Sequence, residues 1–468
     1  MTADTPNPAR AARIALAMTS QSTRPRTSAR TSARFVWLAL LMLELSGCAG
    51  WIETKIPEEE LAPAPPPEPF LLHTFPIDAR TEVIGRLHYT RVQGEQTLLD
   101  IARAYDLGYD EIVSANPGVD PWTPEQGERV LLPTAHVLPD APREGVVINL
   151  AARRLFYYPA VAKGAPRTVI THPIGIGREG WSTPLGRTQV AKKHAAPAWT
   201  VPASIRREHA AQGDPLPAVV PAGPDNPLGS HALRLGWSSI LIHGTNKPAG
   251  IGLRVSHGCI QLYPEDIAPL FAAVPVGTAV TVVDQPYLAG VGPDGLVLEA
   301  HTAATAAGSK AGAAAVKRVV KAAQARQRPA DRVAVDLERA QADAARRTGY
   351  PVPIEVGAPD AALYLAEVPA APLLSTPDPA PLPEDGDWYV DLGNFKSELG
   401  ARRLTAMLAH QGPPIPAQRM AQGRQYRVLA GPYPTRAAAT VAAKRIARDL
   451  DETGTAIRLP QLADATPR

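Results

Sequence analysis

A chain of 468 residues exceeds what one hydrophobic core sustains, and at about 100–200 residues per domain it implies two to four domains. Proline supplies 50 residues, twice the usual ~5 %, and falls in clusters, which excludes a single compact globule and points to spacers between small domains. The formal net charge is +3, but residues 1–47 hold six arginines against two acidic residues, so the remainder carries −1 and offers no electrostatic support for a nucleic-acid partner.

Arg10, Arg13, Arg24, Arg26, Arg30 and Arg34 precede an apolar run, Phe35 to Leu43, that is too short to span a bilayer as a stable helix and reads as a secretory signal. The run ends in Leu45-Ser46-Gly47-Cys48, which resembles the bacterial lipobox. That resemblance implies a signal peptide over 1–47 and lipidation of Cys48. Ala49 rather than Asp in the next position favours the outer membrane of a Gram-negative cell, with the rest of the chain in the periplasm. Cys48 and Cys259 are the two cysteines, and each has a distinctive local setting, so a disulfide between them is not expected. Residues 48–84, with Glu58-Glu59-Glu60 and the prolines from Pro63 to Pro69, are expected to form an extended tether.

Residues 85–137 begin with an alternating strand from His88 to Val92 and a Gly94-Glu95-Gln96 turn. Two helical patterns follow, Thr97 to Tyr105 and Tyr109 to Ala115, then Asn116-Pro117 and a closing strand from Arg129 to Pro133. This strand, helix, helix, strand order, with the Ile101-Ala102 pair, the central Asn116 and the terminal Leu132-Pro133, resembles the LysM domain. The resemblance implies a shallow groove for the N-acetylglucosamine of peptidoglycan glycan strands.

From residue 145 to 285 short β-like runs recur: 146–150, 154–158, 167–171, 187–190, 239–242 and 278–283. Gly, Pro and Asn separate them, which argues for an all-β, sandwich-like domain whose loops carry the site. Within it stand Ile242-His243-Gly244-Thr245 and Arg254-Val-Ser256-His257-Gly258-Cys259-Ile260. A thiol becomes a useful nucleophile as thiolate, and a neighbouring imidazole is the usual means of making one. His243, at the end of a predicted strand, can meet Cys259 across a loop. His257, two positions from the cysteine, projects differently and is suited to the oxyanion region. Gly258 lets the backbone turn so that N–H groups near Cys259 face a developing oxyanion, which is typically worth ~3 kcal/mol per donor. One cysteine and two histidines supply too few ligands for zinc, so no metal is expected there. His172, His194, His209 and His231 show no pattern and read as surface or structural residues.

His-Gly-Thr, a dozen residues, then Ser-His-Gly-Cys resembles the signature of the YkuD-type L,D-transpeptidases, and Pro173 to Gly177, Trp181 to Gly186, Pro227 to Gly229, Ala232 to Leu235 and Leu262 to Ile267 add to the likeness. The resemblance implies that Cys259 is the nucleophile, His243 its general base and Gly244 the carbonyl that orients the imidazole, with His257 and Gly258 at the oxyanion and Arg254, Ser256 and Gln261 toward substrate. Many relatives carry Arg where this chain has Gln261. A glutamine cannot hold a carboxylate as a charged bidentate donor does. The family also implies a stem tetrapeptide as acyl donor and a thioester intermediate. An amine acceptor follows, either a second stem for a 3–3 cross-link or a lysine of an outer-membrane lipoprotein. No cofactor is implied. The same chemistry with water as acceptor would make a carboxypeptidase or hydrolase, and a degenerate site would leave a peptidoglycan-binding scaffold.

Residues 286–385 read as a short extension followed by a helical and proline-rich linker. From 386 to 462, Trp388 to Phe395, a helix over 397–410, a strand pair closing on Gly431-Pro432-Tyr433, a helix over 435–450 and a last strand give a βαββαβ order. This α+β pattern resembles a SPOR domain, which implies binding of glycan strands stripped of stem peptides.

Overall fold

The computed structural model describes residues 70–211, 215–309, 312–375 and 386–459. The expected signal, Cys48, most of the tether and most of the proline spacer before residue 386 lie outside the described residues. Among the described residues no helix is long and apolar enough to cross a membrane.

The central feature is a nine-stranded sheet. Its strands are β1 (Thr74–Ile77), β2 (Gly145–Asn149), β3 (Arg154–Tyr158), β4 (Arg167–Pro173), β5 (Gly186–Ala195), β6 (His231–Leu235), β7 (Leu241–His243), β8 (Ile260–Gln261) and β9 (Ala279–Val283). The order across the sheet is β1-β4-β3-β2-β9-β5-β6-β7-β8. Only β2 with β9 and β7 with β8 run parallel; the other neighbours are antiparallel. The sequence suggested a sandwich of two sheets, and the structure reaches a similar enclosure with one continuous sheet. β5 is long enough to serve both halves: Gly186 to Gln189 pair with β9, and after a bulge between Val190 and Lys192 the rest pairs with β6. Such a bulge increases local twist and lets a strand turn a corner. Val146, Ile148 and Leu155 from one half and Leu233, Ile242 and Ile260 from the other therefore share one core, closed by Ile267 and Leu270 of the helix Pro264–Ala273.

The tether, expected to run to residue 84, ends sooner than that. Thr74 to Ile77 are β1, an edge strand bonded to β4, with Phe75 buried, and Val83–Gly85 pairs with Ala135–Val137. Residues 88–132 form the expected strand, helix, helix, strand unit. Thr97 and Asp100 cap each other at the first helix, with Asp100 N–H donating to Thr97 Oγ1 at 3.0 Å and Thr97 N–H to Asp100 Oδ2 at 2.8 Å. Asn116 holds the second helix to the closing strand. Its Nδ2 donates to the carbonyls of Ile112 and Leu131, and its Oδ1 accepts from Leu131 N–H at 2.7 Å.

The expected linker after residue 286 is a correction. Tyr287–Gly292 and Gly295–Ala300 form a hairpin, Val352–Pro353 adds a third strand, and the helices Ala313–Arg326 and Leu337–Arg346 pack against it. Leu298, Val316, Val320, Ala323, Ala340 and Ile354 are buried together with Leu87 and Leu131 of the preceding unit. Small alanines on the buried faces let these helices approach closely, so a composition that reads as spacer builds a core. The chain then returns to Tyr89, whose N–H donates to Pro369 O and whose carbonyl accepts from Ala371 N–H.

Residues 388–458 fold as βαββαβ, with sheet order Ala417–Gln422, Gln425–Tyr433, Trp388–Phe395, Thr455–Arg458 and the helices Glu398–Ala409 and Arg436–Leu450 on it. This unit leans on the βααβ unit through charge. Arg403 pairs with Asp120, Arg419 with Glu95, and His410 Nε2 lies 3.2 Å from Asp100 Oδ1 and edge-on to Trp122.

Candidate active site

Parallel neighbours need a long crossover, and the connection from β7 to β8 is the segment that carries Ser256 to Cys259. Ile242 lies beside Ile260 and His243 beside Gln261. Ile242 and Ile260 are fully buried in the core, so alternation turns His243 and Gln261 to the other face. One step back along that alternation, Cys259 falls level with Leu241, two positions from His243 on the neighbouring strand.

His243 is 3 % exposed, and its Nδ1 donates to the Gly244 carbonyl at 2.6 Å. That bond fixes the tautomer and leaves the lone pair on Nε2. Burial pushes its pKa down to about 4, against the smaller pull of the Gly244 and Leu228 carbonyls, so the ring is neutral at physiological pH. Space at Gly244 is enforced from two sides: a Cβ there would meet Ile267 Cγ2 at 3.0 Å, and one at Gly229, where φ is +65°, would meet the Gly244 and Thr245 backbone below 3 Å.

Cys259 is a free, half-buried thiol whose Sγ donates to the Ser239 carbonyl at 3.5 Å. Burial raises its pKa above the ordinary thiol value, with a hydrogen bond from Leu241 working the other way. The resting pair is thus thiol and neutral imidazole rather than thiolate and imidazolium. Ser239, read from sequence as part of a strand, is instead a turn residue at φ +67° just before β7, a conformation that a non-glycine residue adopts at a cost.

The turn around the thiol is braced internally. Ser256 Oγ donates to the Cys259 carbonyl at 2.6 Å and accepts from Gly258 N–H at 3.2 Å, so this hydroxyl, expected to face substrate, is committed to the loop. Gly258 sits at φ +100°, its carbonyl accepting from Thr183 Oγ1 at 2.9 Å. Gly177 packs so close that a Cβ would fall 2.0 Å from the Trp181 carbonyl.

His257 is held by groups without a sequence pattern. Arg178 Nη2 lies 2.8 Å from its Nε2 and 2.6 and 2.7 Å from the two Glu208 carboxylate oxygens, and Trp181 meets the ring edge-on at 4.9 Å. Nε2 also lies 3.2 Å from Glu208 Oε2, so it stands between a guanidinium donor and a carboxylate acceptor. Burial lowers the His257 pKa, partly offset by Glu208 and reinforced by Arg178. Gln261 exchanges backbone hydrogen bonds with Gly175, and its side chain lies against that glycine. Arg254 pairs with Ile176, its buried Nε without a hydrogen-bond partner among the described residues. Arg178, Glu208, Thr183 and Ser239 escaped the sequence reading; of these only Thr183 lay inside a recognised motif.

Residues 143–282 match the L,D-transpeptidase catalytic domain (YkuD), and residues 384–457 match the SPOR domain. The chain is 51 % identical over 201 residues to "Probable L,D-transpeptidase YbiS" of Escherichia coli (strain K12), a match covering 43 % of this chain and 64 % of that protein, just under two thirds of its length. Against "Probable L,D-transpeptidase YcfS" of the same organism it is 43 % identical over 240 residues, covering 50 % and 74 %. Against "Probable L,D-transpeptidase ErfK/SrfK", also of that organism, it is 42 % identical over 290 residues, covering 61 % and 91 %.

Proposed function

Since the chain belongs to the L,D-transpeptidase family, with a YkuD-type catalytic domain and a SPOR domain, we propose that it remodels peptidoglycan through a thioester on Cys259. The observation that carries this reading is the His243 imidazole, neutral and bound by Nδ1 to Gly244, on the strand beside the one that Cys259 immediately precedes. With Nε2 unprotonated, His243 takes the thiol proton as the sulfur attacks the carbonyl of the third residue of a stem tetrapeptide. Backbone N–H groups at the Gly258 turn stabilise the oxyanion. The leaving D-alanine amine takes the proton back from His243, and a thioester remains. An acceptor amine, losing its proton to the same ring, then forms the new amide and frees the thiol. Gly244 acts as the third member of the triad through its backbone. Ser256 shapes the turn, His257 is positioned by Arg178 and Glu208, and Gln261 and Arg254 are assigned to the substrate arm.

The rest of the chain fits a wall-directed role. The βααβ unit with its central Asn116 supports a LysM-like glycan-binding function, and the C-terminal unit supports recruitment to denuded glycan strands. Leu45 to Cys48 supports lipidation at Cys48 and an outer-membrane, periplasm-facing location, with stem peptides or a lipoprotein lysine as acceptor.

Tetrapeptide-rich wall fragments incubated with the wild type and with Cys259→Ser, then resolved by mass, test the reading. Cross-linked dimers formed only by the wild type are expected. Tripeptide alone would mean transfer to water, and identical products from both proteins would leave a scaffold.

A further inference from the structure

Four segments distant in sequence converge at a second polar centre. His73 precedes β1, Asp106 follows the helix Leu98–Ala104 in a left-handed turn at φ +51°, His172 lies near the end of β4, and Asp266 is in the first turn of the helix Pro264–Ala273. One ligand-type atom from each lies within 4.8 Å of the others. Asp106, His172 and Asp266 are buried at 4 %, 4 % and 5 % exposure, and His73 closes the open side.

Hydrogen bonding within the cluster does not satisfy these groups. His172 Nδ1 stands 3.4 Å from Asp106 Oδ2 and 3.4 Å from Asp266 Oδ1, and it makes no hydrogen bond of acceptable geometry. Asp106 Oδ1 and Asp266 Oδ2 are likewise buried without partners. Orphaned polar atoms of this kind are costly unless something occupies the space between them. The spacing suits a small cation: with bonds of about 2.0–2.1 Å, ligand atoms around tetrahedral zinc stand about 3.3 Å apart. His73 Nδ1, 3.0 Å from Asp106 Oδ2, is already near that separation.

We propose that His73, Asp106, His172 and Asp266 form a structural zinc site that fastens the N-terminal segment and the βααβ unit to the catalytic sheet. Two neutral imidazoles and two carboxylates balance the charge of the ion, and four ligands without an open position mark a structural rather than a catalytic centre. Calcium, which takes six to eight oxygens, and magnesium, which keeps its waters, suit this donor set poorly. Loading frees Nδ1 of both rings: a neutral ring carries its proton on Nε2 instead, and a protonated ring releases one proton to solvent. The helix that carries Asp266 also carries Ile267, which touches the space beside Gly244, so the clip would stiffen the platform under His243.

The site is independent of the Cys259 chemistry, and its test avoids the thiols. Full-length protein with Cys48→Ser and Cys259→Ser is stripped with chelator, re-equilibrated with zinc chloride, and analysed for bound metal and for thermal unfolding. One zinc per chain and a raised Tm are expected, with both lost on adding Asp106→Asn or His172→Gln. His73→Gln, at the most exposed ligand, should keep the fold and weaken zinc binding at least tenfold. A metal-free parent whose Tm zinc does not move, or a stoichiometry unchanged by His73→Gln and Asp106→Asn, would overturn the proposal.

Discussion

The protonation states at Cys259 and His243 set how the thiol responds to pH. Burial raises the thiol pKa and pushes the imidazole down to about 4, so neither group is charged at pH 7. Alkylation by iodoacetamide should therefore accelerate about tenfold per pH unit through neutrality and into the alkaline range. A flat rate between pH 5 and 8, measured by mass spectrometry on quenched samples, would reveal an ion pair instead. Such a resting thiol is quiet toward adventitious electrophiles. The motif residues were legible because Cys259 needs an imidazole and a tight turn nearby in sequence. Arg178 and Glu208 were not, since they stand 30 positions apart and meet only after the helix Ala203–Ala211 folds over the turn.

Among the elements, alternating and aromatic runs announced the strands correctly at 145–158 and 279–283, where β-branched and aromatic residues face a packed core. Alanine-rich helices hid their role, because alanine gives little contrast between a buried and a solvated face. In the helix Ala313–Arg326 the buried positions are Ala315, Val316, Val320 and Ala323, a pattern weak in sequence but sufficient once a sheet lies beneath it. Leu298, 1 % exposed, reports whether that packing matters. Leu298→Ala should cost roughly 2–5 kcal/mol in denaturant unfolding, the range for buried leucines, whereas a substitution in a solvated spacer would stay within about 0.5 kcal/mol. The single bent sheet was also beyond a linear reading, since nothing local marks β5 as the strand that serves both halves.

At the scale of the whole molecule, the units are joined in two different ways. The catalytic sheet holds the βααβ unit through a buried pair: Arg154 Nε and Nη2 donate to the Glu111 carboxylate at 2.8 and 3.1 Å, and Nη2 also to the Asp106 carbonyl at 2.8 Å. Arg154→Met would strand a buried carboxylate at a cost of about 3–5 kcal/mol, and adding Glu111→Gln should restore most of it in thermal melts. The C-terminal unit, by contrast, docks through partly exposed ion pairs, which salt screens. Burial opposes protonation of His410, but the hydrogen bond and charge of Asp100 outweigh it and raise its pKa. Its contribution is therefore complete below the ordinary histidine value and fades as pH climbs through the raised one. Solution scattering should show the molecule expanding between low and high salt, more readily at pH 9 than at pH 6. The edge position of β1 has a mechanical outcome. Traction along the chain from residue 71 runs lengthwise down Thr74 to Ile77, so the rungs to β4 bear the load together in shear instead of peeling one by one. A pull on that side of the chain would therefore leave the catalytic sheet whole at loads that would unzip a strand peeled from its end.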